Sequence, residues 1–597
     1  LAQRDRRVQA DIHIVNSTDE HEQKHGIYLM NSACHDERNA LDRGDPIRCR
    51  TRGTFTESDV IFMDAQAAFL DEAEAIIGKG NVVRPTPQEG YIDPYPLNSG
   101  RAKWPGVRPG SVEEVQALVR LANSTGVPLW SFSKGKNLGY GGPEPRARGM
   151  VALDLSRLNN ILEVNDHLNY AVIEPGVTFF DLFEHIQEKG LKLWMSVPAL
   201  GWGSIMGNAL DRGYGMTPMG DHVQSICGME VVLPDGELVR TGMWAMEGTE
   251  LGPIFKGGFG PTLDGIFTQS NLGVVTKIGL WLMPWPDVYI NGDVVVEREE
   301  DMPKLVDILT QLRREDVIQN NALCGNVVRA ATMNGPRSRW YEGEGSIPDD
   351  RLEEMRQEMG IGQWNAKFAI YGDKGLAQRR LEIIRERFAG LEGFTVKARL
   401  YEGVDGVQVA YEDIADMDRT QMAGVPTLKP LSTVAWAAEN GGHIDAAPII
   451  PARGEEVWAF YREAKELYRR FGFDLYIGYH LYPRHMVHVT MIFFENDNQE
   501  QLARARALYS ALLAAARSHG YAPYRSHVDY MDVIADGFDY NNNAIRRLQE
   551  TLKDALDPNG ILAPGKQGVW PRRYREVGAE APDAAVESAV PLSGRLS

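Results

Sequence analysis

The segment SKGKNLGYGG, Ser133 to Gly142, is a place where this chain could do chemistry with its backbone. Its four glycines let several N–H groups turn toward one point, a nest suited to a pyrophosphate. The loop lies between two predicted strands rather than at a helix N-terminus, so it is not the dinucleotide fingerprint of a βαβ unit. On its own it also reads as ordinary turn chemistry. The four cysteines (Cys34, Cys49, Cys227, Cys324) are widely and irregularly spaced and form neither a metal-binding pair nor a disulfide framework. No metal is expected, and a reducing compartment such as the cytoplasm is favoured, with the periplasm left open. A balance of 63 Lys+Arg against 82 Asp+Glu gives −19, a field that repels nucleic-acid phosphates and anionic lipid surfaces. No apolar run approaches the roughly 20 residues that span a bilayer.

The elements around that loop are legible from periodicity. Ser111 and Glu114 make a capping box before a helix whose Val112, Val115, Leu118, Val119 and Ala122 share a face, and Gly126 stops it. A short buried strand over Val127–Phe132 follows and delivers the glycine-rich loop. Further strands are predicted at 150–155, 170–177 and 228–242, the last a hairpin turning at Pro234-Asp235-Gly236. A helix at 179–190 ends at Gly190. From about 285 the glycine clusters thin and longer amphipathic helices appear, as at 455–472 before the strand-like stretch 474–494. The alternation predicts an α+β or α/β body over about 62–572 with a second domain at 285–520. Residues 1–61 are expected to be an extension and 573–597 an acidic, Ala/Pro/Ser-rich tail, both disordered.

Taken in order, WPGVRPGS (104–111), SFSKGKNLGYGG (131–142), IEPGVT (173–178), GSIMGNALDRGYGMTP (203–218), GDHVQSICGMEVVLPDGELVRTG (220–242), FTQSNLGVVTKIGLWLMP (267–284), PYRSHVDYMDVI (523–534) and LKDALDPNGILAPGKQGVW (552–570) resemble the vanillyl-alcohol oxidase and 4-cresol dehydrogenase family of flavoproteins. The resemblance covers roughly residues 64–572. It implies a two-domain fold, with an FAD-binding domain split into 62–284 and 521–572 around an α+β substrate-binding cap at 285–520. By the same resemblance the loop wraps the FAD pyrophosphate through Ser133, Gly135, Lys136, Asn137, Gly139 and Gly141. Ser204, Gly207, Asn208, Asp211 and Gly213 line the flavin and ribityl region, and Gly273 to Val275 approach the cofactor backbone. GGHIDAAPI (441–449) resembles the segment that carries a covalent flavin tether, which makes His443 the candidate. Family oxidases place a His just before an Asp-Pro pair to assist attachment; here Tyr91-Ile92-Asp93-Pro94 departs from that.

The resemblance further implies a small phenolic substrate held as phenolate by Tyr140, Tyr524 and Arg525. A guanidinium and two hydroxyl donors lower a phenol pKa from near 10 toward neutrality. Hydride then leaves the benzylic carbon for the flavin, and the quinone methide so formed takes up water or loses a proton. VPALGWGS (197–204) carries Ala199 where the vanillyl-alcohol oxidase branch has an Asp. Asp445, Glu439 and His480 are the candidates to replace it, and Met216, where relatives often have Tyr, alters the cavity wall. Reduced FAD is expected to pass its electrons to dioxygen or a cytochrome c, and the protein to be a homo-oligomer. Two other readings stand beside this one: an oxidoreductase of the same fold acting on a hydroxy acid or sugar, and a catalytically silent flavin-binding protein.

Overall fold

The computed structural model describes residues 57–97, 102–403 and 409–576, with side chains from Asp64 onward. Leu1–Met63 and Asp64–Ser597 separate as two units, and every strand among the described residues belongs to the second. The helix Glu57–Ile77 begins inside the expected extension, and a last helix, Arg572–Glu576, runs into the expected tail. The rest of both stretches, with Cys34 and Cys49, lies outside the described residues. Among the described residues no helix is long and apolar enough to cross a membrane.

Three sheets carry the body. A four-stranded one is ordered Val82–Val83, Gly106–Val107, Val151–Asp154, Leu129–Phe132, its last two strands parallel. The predicted helix Val112–Thr125 packs here through Val115, Leu118, Val119 and Ala122. The Ser111 hydroxyl accepts from the Glu114 N–H, while the Glu114 carboxylate reaches past the cap to the Gly110 N–H at 2.6 Å. A five-stranded antiparallel sheet runs Ile161–Asn165, Tyr170–Ile173, Val274–Trp281, Ile226–Val232, Leu238–Arg240. Its Ile226–Arg240 hairpin turns where Pro234-Asp235-Gly236 predicts, with Val232 opposite Leu238.

The third sheet has nine strands. Its centre is the stretch 474–494, which forms not one strand but a hairpin of Tyr476–Leu481 and His485–Glu495. The break falls at Tyr482-Pro483-Arg484, because proline has no N–H to give a ladder. The long strand His485–Glu495 pairs along one edge with both Gly441–Ala446 and Pro448–Pro451. Ala522–Pro523 also joins, opposite Pro448 and Ile449, so this sheet reaches past residue 520, the expected end of the second domain. Tyr524 and Arg525 therefore stand where the chain leaves one sheet for the rest of the body.

The C-terminal stretch returns to the first sheet, with the Leu129 N–H bonded to the Ile561 carbonyl and the Ala563 N–H to that of Leu129, both at 2.7 Å. Lys553, fully buried, fastens it: its ammonium meets Asp557 at 2.7 Å and the carbonyls of Asn271 and Leu562 at 2.6 Å. A charge this deep persists because every proton on it is taken.

Candidate active site

A cavity of ≈ 370 Å³ runs between these elements. The glycine-rich loop forms one wall. Gly135, Gly139, Gly141 and Gly142 all have positive φ, a conformation other residues adopt at a cost. Among the described residues, the N–H groups of Lys134, Gly135, Lys136, Asn137, Leu138 and Gly139 donate to no protein acceptor. The first five of these residues line the cavity, and consecutive unspent donors on a cavity wall are what a diphosphate would satisfy. Lys566 adds a cation to the same wall; burial lowers its pKa and the charge of Asp211 opposes that shift.

Ser133, Gly135, Lys136, Asn137, Tyr140, Ala199, Ser204, Gly207, Asn208, Asp211, Gly273, Val275, His443, Asp445 and Arg525 all line this cavity. Other expected residues do not. Gly139 lies against the His443 ring and Gly141 against Val528. Gly213 seats Asn208: a Cβ there would come within 2.2 Å of Oδ1, so its part is to make room. Met216 is packed into an apolar cluster with Trp194, Tyr289 and Tyr371 and forms no part of the wall. Glu439 is exposed and borders a neighbouring groove with Lys136 and Trp202 rather than this cavity.

Beyond the cavity wall, aromatic groups converge on Arg525. Its Cζ lies 5.4 Å from the Tyr140 ring centre and 5.5 Å from that of Tyr524. Its Nε donates to the Asp211 carbonyl at 2.7 Å. The hydroxyls of Tyr140 and Tyr524 are near enough for each to act on the other's ionisation. Burial raises both tyrosine pKa values, that of Tyr140 far above the usual 10, with Arg525 pulling the other way. Burial would lower the Arg525 pKa, but Tyr524, Asp211, Tyr140 and Tyr214 together raise it. The cluster thus holds one permanent cation beside two neutral hydroxyl donors. His480 stands behind it, its ring 4.1 Å from that of Tyr214, which is in turn 5.8 Å from Tyr524. Burial, then the charge of Arg329, pushes the His480 pKa down to about 3.

Sequence reasoning missed Tyr214 and His222. Tyr214 stands between Gly213 and Met216, in a motif whose other positions drew notice while it did not. His222 binds Asn208 Oδ1 through Nδ1 (2.6 Å) and Ser196 Oγ through Nε2 (2.9 Å). Since an amide oxygen only accepts, Nδ1 carries the hydrogen. Burial, then the Arg525 charge, holds this ring's pKa near 3. Its signal was a lone histidine inside GDHVQSIC.

Residues 106–242 match the FAD binding domain family and residues 381–567 the family of FAD linked oxidases, C-terminal domain. The chain is 35% identical to the 4-cresol dehydrogenase [hydroxylating] flavoprotein subunit of Pseudomonas putida, over 84% of this chain and 95% of that one. Among solved structures, 4-ethylphenol oxidase from Gulosibacter chungangensis in complex with isoeugenol superposes with a TM-score of 0.80 at 34% identity, covering 86% of this chain and 98% of that one. p-Cresol methylhydroxylase with substrate bound gives 0.79 at 33% identity, with the same coverage.

Proposed function

Since the chain belongs to the vanillyl-alcohol oxidase and 4-cresol dehydrogenase family of FAD-dependent oxidoreductases, we propose that it oxidises para-substituted phenols, 4-alkylphenols or 4-hydroxybenzylic alcohols, at the benzylic carbon. The observation that carries this reading is the grouping of Tyr140 and Arg525, on the cavity wall, with Tyr524 against the same guanidinium. The substrate hydroxyl takes its place among them. Both tyrosines stay protonated and the guanidinium stays charged, so every group facing that oxygen favours its anion, and the phenol gives up its proton. The phenolate pushes electron density to the para carbon and weakens the benzylic C–H bond. FAD, when bound, supplies an acceptor for the hydride. The sheltered, largely apolar setting of the cluster strengthens each of these interactions.

The residues that hold FAD are those of the glycine-rich loop with Lys566 for the diphosphate, Ser204 to Asp211 with Gly273 to Val275 for the ribityl and ring, and His443 as a covalent tether. The FAD-binding domain comprises 62–284 and 521–572, and the cap 285–520. Ala199 supplies no base for the oxidised substrate. That task falls to Asp445, which lines the cavity and keeps one carboxylate oxygen without a described partner. His480, neutral above pH about 3, is the second candidate. The electrons leave to dioxygen or to a cytochrome c. Cys227 and Cys324 are free and buried, which supports a reducing compartment such as the cytoplasm.

The test is anaerobic mixing of the purified holoenzyme with a 4-alkylphenol. Bleaching of the flavin is expected. No bleaching with phenols, but bleaching with a hydroxy acid or sugar, would replace the phenolate model with the second reading; none with either would leave a silent flavoprotein.

A further inference from the structure

His443 and Asp445 are two residues apart on the strand Gly441–Ala446, so their side chains leave the same face. Both are more than nine-tenths buried, and Nδ1 lies 2.8 Å from Oδ1. A carboxylate only accepts, so Nδ1 carries the hydrogen of the neutral ring and the lone pair sits on Nε2. Among the described residues nothing bonds to Nε2, and His443 lines the cavity. Gly139 closes the other edge: a Cβ there would stand 2.6 Å from His443 Cε1, 2.7 Å from Nδ1 and 3.3 Å from Asp445 Cγ. Tyr95 and Phe493 flank the ring at 5.4 and 6.3 Å. Asp93, the buried carboxylate two residues before Tyr95, is committed to His527 at 3.0 Å and to the Tyr95 N–H. Tautomer and orientation of His443 are thus fixed by Asp445.

We propose that Asp445 is the positioning residue that makes His443 Nε2 the nucleophile toward the ring methyl group of FAD. This rests on His443 being the covalent tether. The new bond joins Nε2 to the methyl carbon, and one methyl C–H bond breaks. Its proton leaves to water and its electron pair stays in the flavin ring system. As positive charge builds on the imidazole, Asp445 faces it, and the Nδ1 proton is lost through the carboxylate. Dioxygen then takes the two electrons with two protons as hydrogen peroxide, so the linked cofactor returns to the oxidised state.

The experiment uses full-length protein made without flavin, to which FAD is added. Linkage is followed by the flavin that stays with acid-precipitated protein and by the mass of the His443 peptide; binding before linkage is followed by quenching of flavin fluorescence. Asp445→Asn is expected to bind FAD within about threefold of wild type but to link it about 100-fold more slowly or worse, because an amide there favours the other tautomer and cannot take a proton. Asp445→Glu should recover part of the rate. If the amide disturbs FAD binding, Asp445→Ser repeats the test with the same expected loss. Equal linkage rates in wild type and either uncharged variant overturn the proposal while the tether stands. A wild type that releases all its flavin on acid overturns both.

Discussion

Arg525 uses Nε on the Asp211 carbonyl and leaves its two Nη groups without a protein acceptor among the described residues. A guanidinium so placed is an unfilled site for an oxyanion. Tyr524→Phe and Arg525→Ala should each slow flavin reduction by a 4-alkylphenol by about 2–4 kcal/mol in the transition state, while FAD content changes little. Stopped-flow reduction checks this, and wild-type rates in both variants would remove the phenolate model. Tyr140 and Arg525 lie almost four hundred residues apart, so no spacing rule could join them; only the resemblance of whole motifs did. His222 lay within one of those motifs and still escaped, because its task is toward Asn208 and Ser196 and is visible only in three dimensions. His222→Phe leaves both half-buried partners without this bond, at about 1 kcal/mol each. A lower melting temperature and weaker FAD binding should appear together.

At the level of elements, the hairpin Tyr476–Glu495 shows how period two distributes chemistry. His480 and His488 point to opposite faces, one toward Tyr214 and the other into the cap core against Phe460 and Tyr479. Burial comes first in pushing both pKa values to about 3, as it does for His222. An unfolded histidine titrates near 6.5. Between those values the unfolded chain binds more protons, so the stability these rings permit is present above pH 6.5 and is lost as pH falls toward 3. The melting temperature should therefore fall below about pH 6, and less steeply in His488→Phe. A flat profile would show these rings to be solvated. The sequence stretch read as one strand because its apolar residues run on through the turn, and proline's missing N–H was the overlooked signal. The helix–strand–loop order around Ser133 was legible because caps and glycine stops act locally. The fastening of the C-terminal stretch was not: Lys553 reads as one of many lysines on an amphipathic helix. Lys553→Ala should cost about 3–5 kcal/mol by leaving the buried Asp557 charge without its cation and two carbonyls unpaired, measurable by urea unfolding.

For the whole molecule, −19 is the quantity with consequences at a distance. A neutral phenol does not feel it, so flavin reduction should be insensitive to salt. A basic cytochrome would be steered by it. Reoxidation by such a protein should slow several-fold between about 20 and 200 mM salt as the Debye length shrinks, while reoxidation by dioxygen should not change. Comparing the two acceptors at both concentrations assigns the route. The extent of the nine-stranded sheet was not legible, since Ala522–Pro523 carries no signal of belonging to it.

The cavity that takes in Trp130 near one end of the chain also takes in Lys566 and Gln567 near the other. A growing polypeptide cannot close it until Gln567 has left the ribosome. Cofactor capture must then follow synthesis of that wall, and a message cut short between the codons for Pro523 and Lys566 would yield a chain that carries every strand of its sheets yet lacks one side of its flavin cavity.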